Sequence, residues 1–278
     1  MLNLKGIKLP VSEGNALHGF FNPDRIVIGE YNKKSGDVLE EIYSVFDSKI
    51  PRLRVDLKTA EMIKYASNAF IGMKISFANE IGNICKKLGI DGRKVMEGVA
   101  LDHRFSKCFM KPGMGFGGPC LQKDISALIA KARKIGYNPR ILRSILEVNK
   151  KQTEILLNIV KKKIRERNAK KVGILGLSYK ADTSDVRESQ AIKIISTLKR
   201  ENVEVLAYDP RAEESMKELC PQINYKDSGQ EVVDASDIIL ILTDWKEFTN
   251  LNYKGKIVVD GRGIIPKEKC KEYEGICW

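Results

Sequence analysis

Residues 171–177, Lys-Val-Gly-Ile-Leu-Gly-Leu, decide the fold class. A short apolar run that closes on glycine is too brief for a helix and reads as a buried strand entering a tight turn. After Arg187-Glu188-Ser189 the pattern predicts a helix over Ala191–Glu201. A second strand follows at Val203–Tyr208 and closes on Asp209-Pro210. A third is predicted at Ile238–Thr243, and a fourth at Lys256–Asp260 runs into Asp-Gly-Arg-Gly. Strands alternating with helices at this spacing predict a parallel, Rossmann-like sheet over residues 169–278. The glycines of the first turn fall short of the dinucleotide fingerprint. Gly173 and Gly176 flank Ile174-Leu175, and Ser178-Tyr179-Lys180 stand where Gly-x-x-Gly is required. NAD is therefore not expected on this sheet, although its C-terminal edge suits a nucleotide diphosphate.

Upstream the period is helical. An amphipathic helix is predicted over Lys34–Asp47, with Val38, Ile42, Val45 and Phe46 on one face. Beyond Ile50–Val55 a long helix runs from Leu57 to Leu88 and stops at Gly89. Ile63, Phe70, Phe77, Ile81, Ile84 and Leu88 keep helical spacing along it, and Ala66, Ala69, Gly72 and Ala78 suit close packing on other helices or a second subunit. Lys64 and Asn68 are four apart and project side by side, with Asn79 and Glu80 as further polar residues on a face expected to be buried. Shorter helices are predicted over Asp91–Gly98 and Leu121–Ile135. Another spans Pro139–Arg167, with its apolar face at Ile141, Ile145, Val148, Ile155 and Ile159. Residues 34–167 thus read as helix apart from one loop. Arg25–Gly29 reads as a strand with no partner nearby, which suggests missing sequence upstream. The fold class is α/β: residues 1–30 form a remnant entry segment, 31–168 a central all-helical domain built on one long helix, and 169–278 the Rossmann-like sheet domain.

The interrupting loop is Pro112–Asp124, Pro-Gly-Met-Gly-Phe-Gly-Gly-Pro-Cys-Leu-Gln-Lys-Asp. Its glycines and prolines exclude a helix interior or a central strand and let the backbone come close to something. Cys120 falls at the start of the next helix, where unpaired N–H groups and the helix dipole favour a thiolate, and Lys123 adds a positive charge. A nucleophilic cysteine and an ordinary small core residue are both compatible with this local pattern.

Composition removes several classes. Lys and Arg number 48 against 36 Asp and Glu, a net charge of +12, but the two signs alternate along the helices. A basic nucleic-acid-binding module rests on that charge alone, without a motif, and an enzyme acting on an anionic small molecule explains the sign equally well. Six scattered cysteines without a Cys-x-x-Cys pair and only two histidines predict no metal site and no disulfide framework. No apolar run reaches the ~20 residues of a membrane span, so a cytoplasmic protein without membrane partners is expected.

Five stretches together resemble the UDP-glucose/GDP-mannose dehydrogenase family: Ala60–Asn68, Phe77–Ile81, Phe116–Cys120 through Lys123-Asp124, Gly176–Lys180 with Asp185–Ser189, and Asp260-Gly261-Arg262. The resemblance covers nearly the whole chain in order. It implies NAD-dependent oxidation of the C6 alcohol of a nucleotide sugar to the carboxylate through a thioester on Cys120. Lys64 and Asn68 would stabilise the oxyanion and Asp124 would handle water. Gly115, Gly117 and Gly118 would admit the sugar, with Phe109, Lys123 and Glu13 among the substrate contacts. Lys180 would reach the ligand from the sheet domain, and Arg262 would hold the nucleotide diphosphate. Arg104 resembles an arginine that enters the neighbouring subunit's site, which implies a homodimer through the long helix.

The departures from the family are specific. The resemblance leads to the expectation that the family's NAD-binding Rossmann domain has no counterpart here; Leu9 stands where a first glutamate belongs, Gln122 where proline is usual, and Pro119 where serine is common. The expectation is a chain inactive alone that needs an NAD-binding domain in trans. A non-catalytic nucleotide-sugar-binding paralogue is the rival reading. The central block looks close to GDP-mannose enzymes and the sheet domain to UDP-glucose enzymes, so a UDP-sugar, UDP-glucose first, is expected.

Overall fold

The structure is a computed structural model that describes residues 16–278. Glu13 and Leu9 lie outside the described residues. Two compact units divide the chain, Met1–Phe70 and Ile71–Trp278.

In the first unit, α1 (Ala16–Phe21) leads to β1 (Ile26–Glu30), α2 (Lys33–Ile42) and β2 (Arg52–Asp56), and α3 (Leu57–Lys87) begins there and continues into the second unit. Strand β1, expected to lack a partner, pairs in parallel with β2, Ile26 opposite Arg52 and Glu30 opposite Asp56. Strand β2 also corrects the expectation that residues 34–167 are helix apart from one loop. Its two arginines hid it. Arg54 is held by Glu30 and Asp37, both at 2.7 Å, and by Glu40 at 2.8 Å. Asn32 and Ser35 cap α2 reciprocally, and the helix gives way to a 3-10 turn at Tyr43–Val45 rather than reaching Asp47.

The second unit continues with α4 (Gly92–Val99), α5 (Leu121–Lys134), α6 (Arg140–Arg167), β3 (Lys171–Leu175), α7 (Gln190–Arg200), β4 (Glu204–Tyr208), α8 (Glu213–Leu219), β5 (Asn224–Tyr225), α9 (Gly229–Ala235), β6 (Ile238–Ile241), β7 (Ile257–Asp260) and β8 (Glu272–Gly275). Strands β3 to β8 form one six-stranded, all-parallel sheet in the order β5-β4-β3-β6-β7-β8. Both faces are covered, as a parallel sheet requires. Leu156, Val160, Ile194 and Leu198 pack with Val172, Ile174 and Leu240 on one side, and Val232, Phe248 and Tyr253 pack with Leu175, Ile239 and Val258 on the other. The four strands anticipated from sequence are the four inner ones. The two edges were not anticipated: β5 is two residues long, and β8 is Glu-Tyr-Glu-Gly. Lys163 and Arg167 of α6 bind Glu272, and Lys86 binds Glu274, so the acidic edge strand is neutralised by cations from two helices.

Two helix faces differ from the expected ones. On α6 the buried residues are Ile145, Asn149, Gln152, Thr153, Leu156, Leu157 and Val160, while Ile141 is exposed. On α3 Phe70, Phe77 and Ile84, and Leu88 just past its end, are each at least half exposed, and the small Gly72 and Ala78 are buried instead. A Cβ on Gly72 would lie 2.8 Å from Ile125 Cδ1 of α5, so that side chain would have to shift to admit one.

Candidate active site

The glycine loop runs between α4 and α5 and is fastened by hydrogen bonds at Gly113, Phe116 and Gly118. Gly113 donates its N–H to Asn79 Oδ1 at 2.7 Å, and its carbonyl accepts Gln152 Nε2 at 2.6 Å. Phe116 exchanges two hydrogen bonds with the Asn149 amide, N–H to Oδ1 at 2.7 Å and Nδ2–H to carbonyl at 3.0 Å. Gln190 Nε2 donates to the same carbonyl at 3.0 Å. Gly118 N–H donates to the Arg187 carbonyl at 3.1 Å.

The glycines have visible steric causes. Gly115 and Gly118 sit at φ +90° and +81°, where a side chain is strained. A Cβ on Gly115 would lie 2.5 Å from Asn149 Oδ1, one on Gly117 2.4 Å from the Glu188 carbonyl, and one on Gly118 2.7 Å from the Tyr179 ring. The close approach that demands glycine is to α6 and to the segment after β3.

Cys120 is the N-cap residue of α5 and is exposed, with no capping bond from its side chain. Its carbonyl accepts the Asp124 N–H at 2.9 Å. The Asp124 carboxylate is buried in the first turn of the helix, 3.8 Å from Lys123 Nζ. Cys120, Lys123 and Asp124 are therefore one structural group. Phe109, ahead of the loop, is half exposed and holds φ +63°. Arg104 is exposed and grips Asp102 with Nε at 3.0 Å and Nη2 at 2.6 Å. The shared hydrogen bonds hold Asp102 below the usual carboxylate range and Arg104 above the usual arginine value. In the first unit, Lys64 and Asn68 stand one turn apart on α3, both partly exposed, with Lys64 Nζ 5.5 Å from the Tyr65 ring centre.

At the C-terminal edge of the sheet, Arg262 Nε donates to the Leu242 carbonyl at 2.7 Å and Nη2 to the Tyr179 carbonyl at 3.2 Å. Desolvation lowers its pKa from the ordinary arginine value, opposed by Asp244 and Asp260. Asp260 shapes this turn by accepting the backbone N–H groups of Arg262, Gly263, Ile264 and Ile265. Lys180 is partly exposed, its Nζ 5.7 Å from the Tyr179 ring centre.

The switch point beside β3, where Rossmann sheets hold a dinucleotide, does not fit NAD. Gly176 presses on the end of β6, since a Cβ there would lie 2.4 Å from Thr243 Cβ. The turn's N–H groups at Leu177 and Ser178 both go to Asp209 Oδ2, at 2.7 and 3.1 Å. A pyrophosphate would meet a carboxylate in place of its donors. Among the described residues no cluster of three or more His, Cys, Asp or Glu could hold a metal, and no helix is long and apolar enough to cross a membrane.

Asn149, Gln152, Gln190 and Asp209 were not singled out from the sequence. For the first two, amides placed in register with Ile145, Leu156 and Val160 on α6 are the signal that identifies them.

Fold and site define a Rossmann-like protein that presents a thiol from a clamped glycine loop at a helix N-terminus. The family model for the UDP-glucose/GDP-mannose dehydrogenase central domain matches residues 58–151, and that for the UDP binding domain matches residues 173–267. UDP-glucose 6-dehydrogenase AglM of Haloferax volcanii is 39% identical over 272 residues, covering 95% of this chain and 63% of that protein. YwqF, a UDP-glucose 6-dehydrogenase of Bacillus subtilis, is 40% identical over 258 residues, covering 90% of this chain and 58% of its own. A UDP-glucose dehydrogenase structure from Pyrobaculum islandicum superposes with a TM-score of 0.91 at 36% identity, covering 96% of this chain and 62% of that one. The chain belongs to the UDP-glucose/GDP-mannose dehydrogenase family. It spans about three-fifths of the length of these relatives.

Proposed function

We propose that this chain supplies the sugar-nucleotide site and the thiol of a nucleotide-sugar 6-dehydrogenase, with UDP-glucose as the first candidate substrate. The observation that carries this reading is Cys120: exposed, at the N-cap of α5, with Asp124 buried one turn on. The developing negative charge of an attacking sulfur is favoured at that helix end. Once a first two-electron oxidation has taken the C6 alcohol to the aldehyde, the sulfur bonds C6 and the carbonyl electron pair moves to oxygen, which Lys64 and Asn68 would stabilise as hydrogen-bond donors, as the family resemblance implies. Once that adduct is oxidised to the thioester, Asp124 takes a proton from water, which cleaves the C–S bond and releases the carboxylate.

The two oxidations need two equivalents of a hydride acceptor, NAD by resemblance. The occupied turn at Asp209 argues against the six-stranded sheet as its holder, so the acceptor is held by residues outside that sheet, in cis or in a separate domain. Lys180 and Arg262 flank the C-terminal edge of the sheet, where a UDP diphosphate would meet their charges. We propose that Gly115, Gly117, Gly118, Phe109 and Lys123 line the sugar side. The matched stretches 58–151 and 173–267 fall on either side of the boundary expected at 168. That supports a central domain and a UDP-sugar domain in this order. The exposed face of α3 supports a homodimer in which Arg104 serves the partner's site. Six unpaired cysteines suit a cytoplasmic setting.

Calorimetric titration of the chain with UDP-glucose, GDP-mannose and NAD⁺ in separate runs tests the reading. UDP-glucose is expected to bind without NAD⁺. Cys120→Ala should leave its affinity within about threefold, because the thiol is exposed and bears no capping bond. Absence of UDP-sugar binding, or a large loss of affinity in Cys120→Ala, overturns the assignment. Preference for GDP-mannose would change the substrate and leave the thiol's role standing.

A further inference from the structure

The loop that carries Cys120 is held most heavily at one residue. Phe116 has its ring buried against α3 at Gly72, its N–H on Asn149 Oδ1, and its carbonyl on both Asn149 Nδ2 and Gln190 Nε2. Between this pin and the helix cap lie only Gly117, Gly118 and Pro119. Two glycines in that stretch cannot hold a geometry by themselves. Where Cys120 sits is therefore set by how firmly Phe116 is held at one end and α5 at the other, with the Gly118 N–H on the Arg187 carbonyl between them.

We propose that Asn149 is a positioning residue for Cys120, acting through the backbone of Phe116. A merely space-filling residue on the core face of α6 would be apolar, like its neighbours in register, Ile145 and Leu156. An amide there carries a desolvation cost that is offset only if both its ends are matched. Both are: Asn149 meets a donor and an acceptor on the same residue, the two-bond pairing of a short β-bridge. The arrangement reaches further. The Thr153 hydroxyl donates to Gln190 Oε1, which turns the Gln190 amide so that its N–H faces the Phe116 carbonyl. Gln152 and Asn79 hold Gly113 in the same way at the loop's entry, and Asn83 Nδ2 orients Gln152 by donating to its Oε1 at 2.6 Å. Asn149 is 4% exposed and Gln152 and Asn79 are fully buried, so water does not compete for these bonds. The loop thus has a fixed backbone supported by buried side chains.

The proposal rests on Cys120 being the nucleophile, and alkylation separates the two ideas. Cys108 is also exposed and lies in another segment, which makes it an internal reference for Cys120. The full chain is treated with iodoacetamide, and the rate ratio of Cys120 to Cys108 is read by mass spectrometry. Asn149→Asp keeps the size but sets an oxygen against the Phe116 carbonyl, and Asn149→Ala removes the clamp. Because Cys120 is already exposed, loosening its loop gives the reagent no further access, while the thiol loses its alignment on the end of α5. The ratio should fall about fivefold or more in both variants. A role confined to fold stability would lower the melting temperature and leave that ratio unchanged. A ratio unchanged or raised in folded Asn149 variants overturns the proposal. If neither variant folds, Gln190→Met removes one bond to the same carbonyl at lower cost. A fall of about twofold there supports the proposal and an unchanged ratio overturns it. Failure of UDP-glucose to protect wild-type Cys120 would count against the nucleophile assignment alone.

Discussion

Asp209 Oδ2 accepts the backbone N–H of Leu177 at 2.7 Å, so a carboxylate from the end of β4 closes the glycine turn after β3. The same carboxylate accepts Ser178 N–H and Oγ–H and the indole N–H of Trp245, and its other oxygen takes the N–H groups of Arg211 and Ala212. An aspartate that organises three segments in this way is structural, and its loss strands several buried donors. Each stranded donor costs about 1–3 kcal/mol. Asp209→Ala should lower unfolding stability by about 3 kcal/mol or more in urea titrations, and NAD⁺ should give no heat with the sheet of the wild-type chain. A loss under about 1 kcal/mol would mean water replaces the carboxylate easily.

How much of this was legible depends on what each residue contacts. The inner strands announce themselves through runs such as Val172–Leu175 and Ile238–Ile241, because both faces of a parallel sheet are buried and the whole run is apolar. Strand β2 carries Arg52 and Arg54, whose partners lie in other segments, and β8 alternates glutamates that helices neutralise. No local pattern reports such partners. Cys120 was legible because its glycines and helix start adjoin it in sequence. The Asn149 clamp was not, since it joins residues 33 apart and looks like a flaw in an apolar stripe. The true face of α3 was also hidden. Large apolar residues at helical spacing look like core, yet the second unit buries the small residues of that helix instead.

That exposed face carries the next prediction. Phe77 and Ile84 are each 50% exposed, Leu88 is 67% exposed, and the first two are one heptad apart on α3. Large side chains left in water on one helix mark a contact surface. Covering a phenylalanine contributes up to ~2 kcal/mol, and a charge in its place adds a desolvation cost. Phe77→Glu should weaken self-association by more than about tenfold, seen by light scattering as a shift from dimer to monomer. A wild-type chain that is monomeric at micromolar concentration would refute the dimer.

Alkaline pH gives the last prediction. Burial pushes the Cys277 thiol up to about 12 and the Cys270 thiol up to about 11. Desolvation, with Glu247 adding to it, lifts the Tyr208 phenol to about 12, and burial raises Tyr225, Tyr253 and Tyr273 as well. In every case the folded chain keeps a proton that the unfolded chain releases, from about 8.5 for cysteine and about 10 for tyrosine. The unfolded state therefore binds fewer protons above these values, and stability must fall as pH rises. The contribution is fully present below about pH 8.5 and is lost towards pH 11–12. Melting temperature should hold through neutral pH and decline progressively above about pH 9, and Cys277→Ala should flatten the first part of that decline. The same protonation keeps Cys270 and Cys277 slow towards iodoacetamide at pH 8, where Cys108 and Cys120 are exposed to the reagent. A melting temperature that stays level up to pH 11 would mean that the buried thiols and phenols ionise without unfolding, and that the C-terminal segment around Cys277 opens to water while the sheet stays intact.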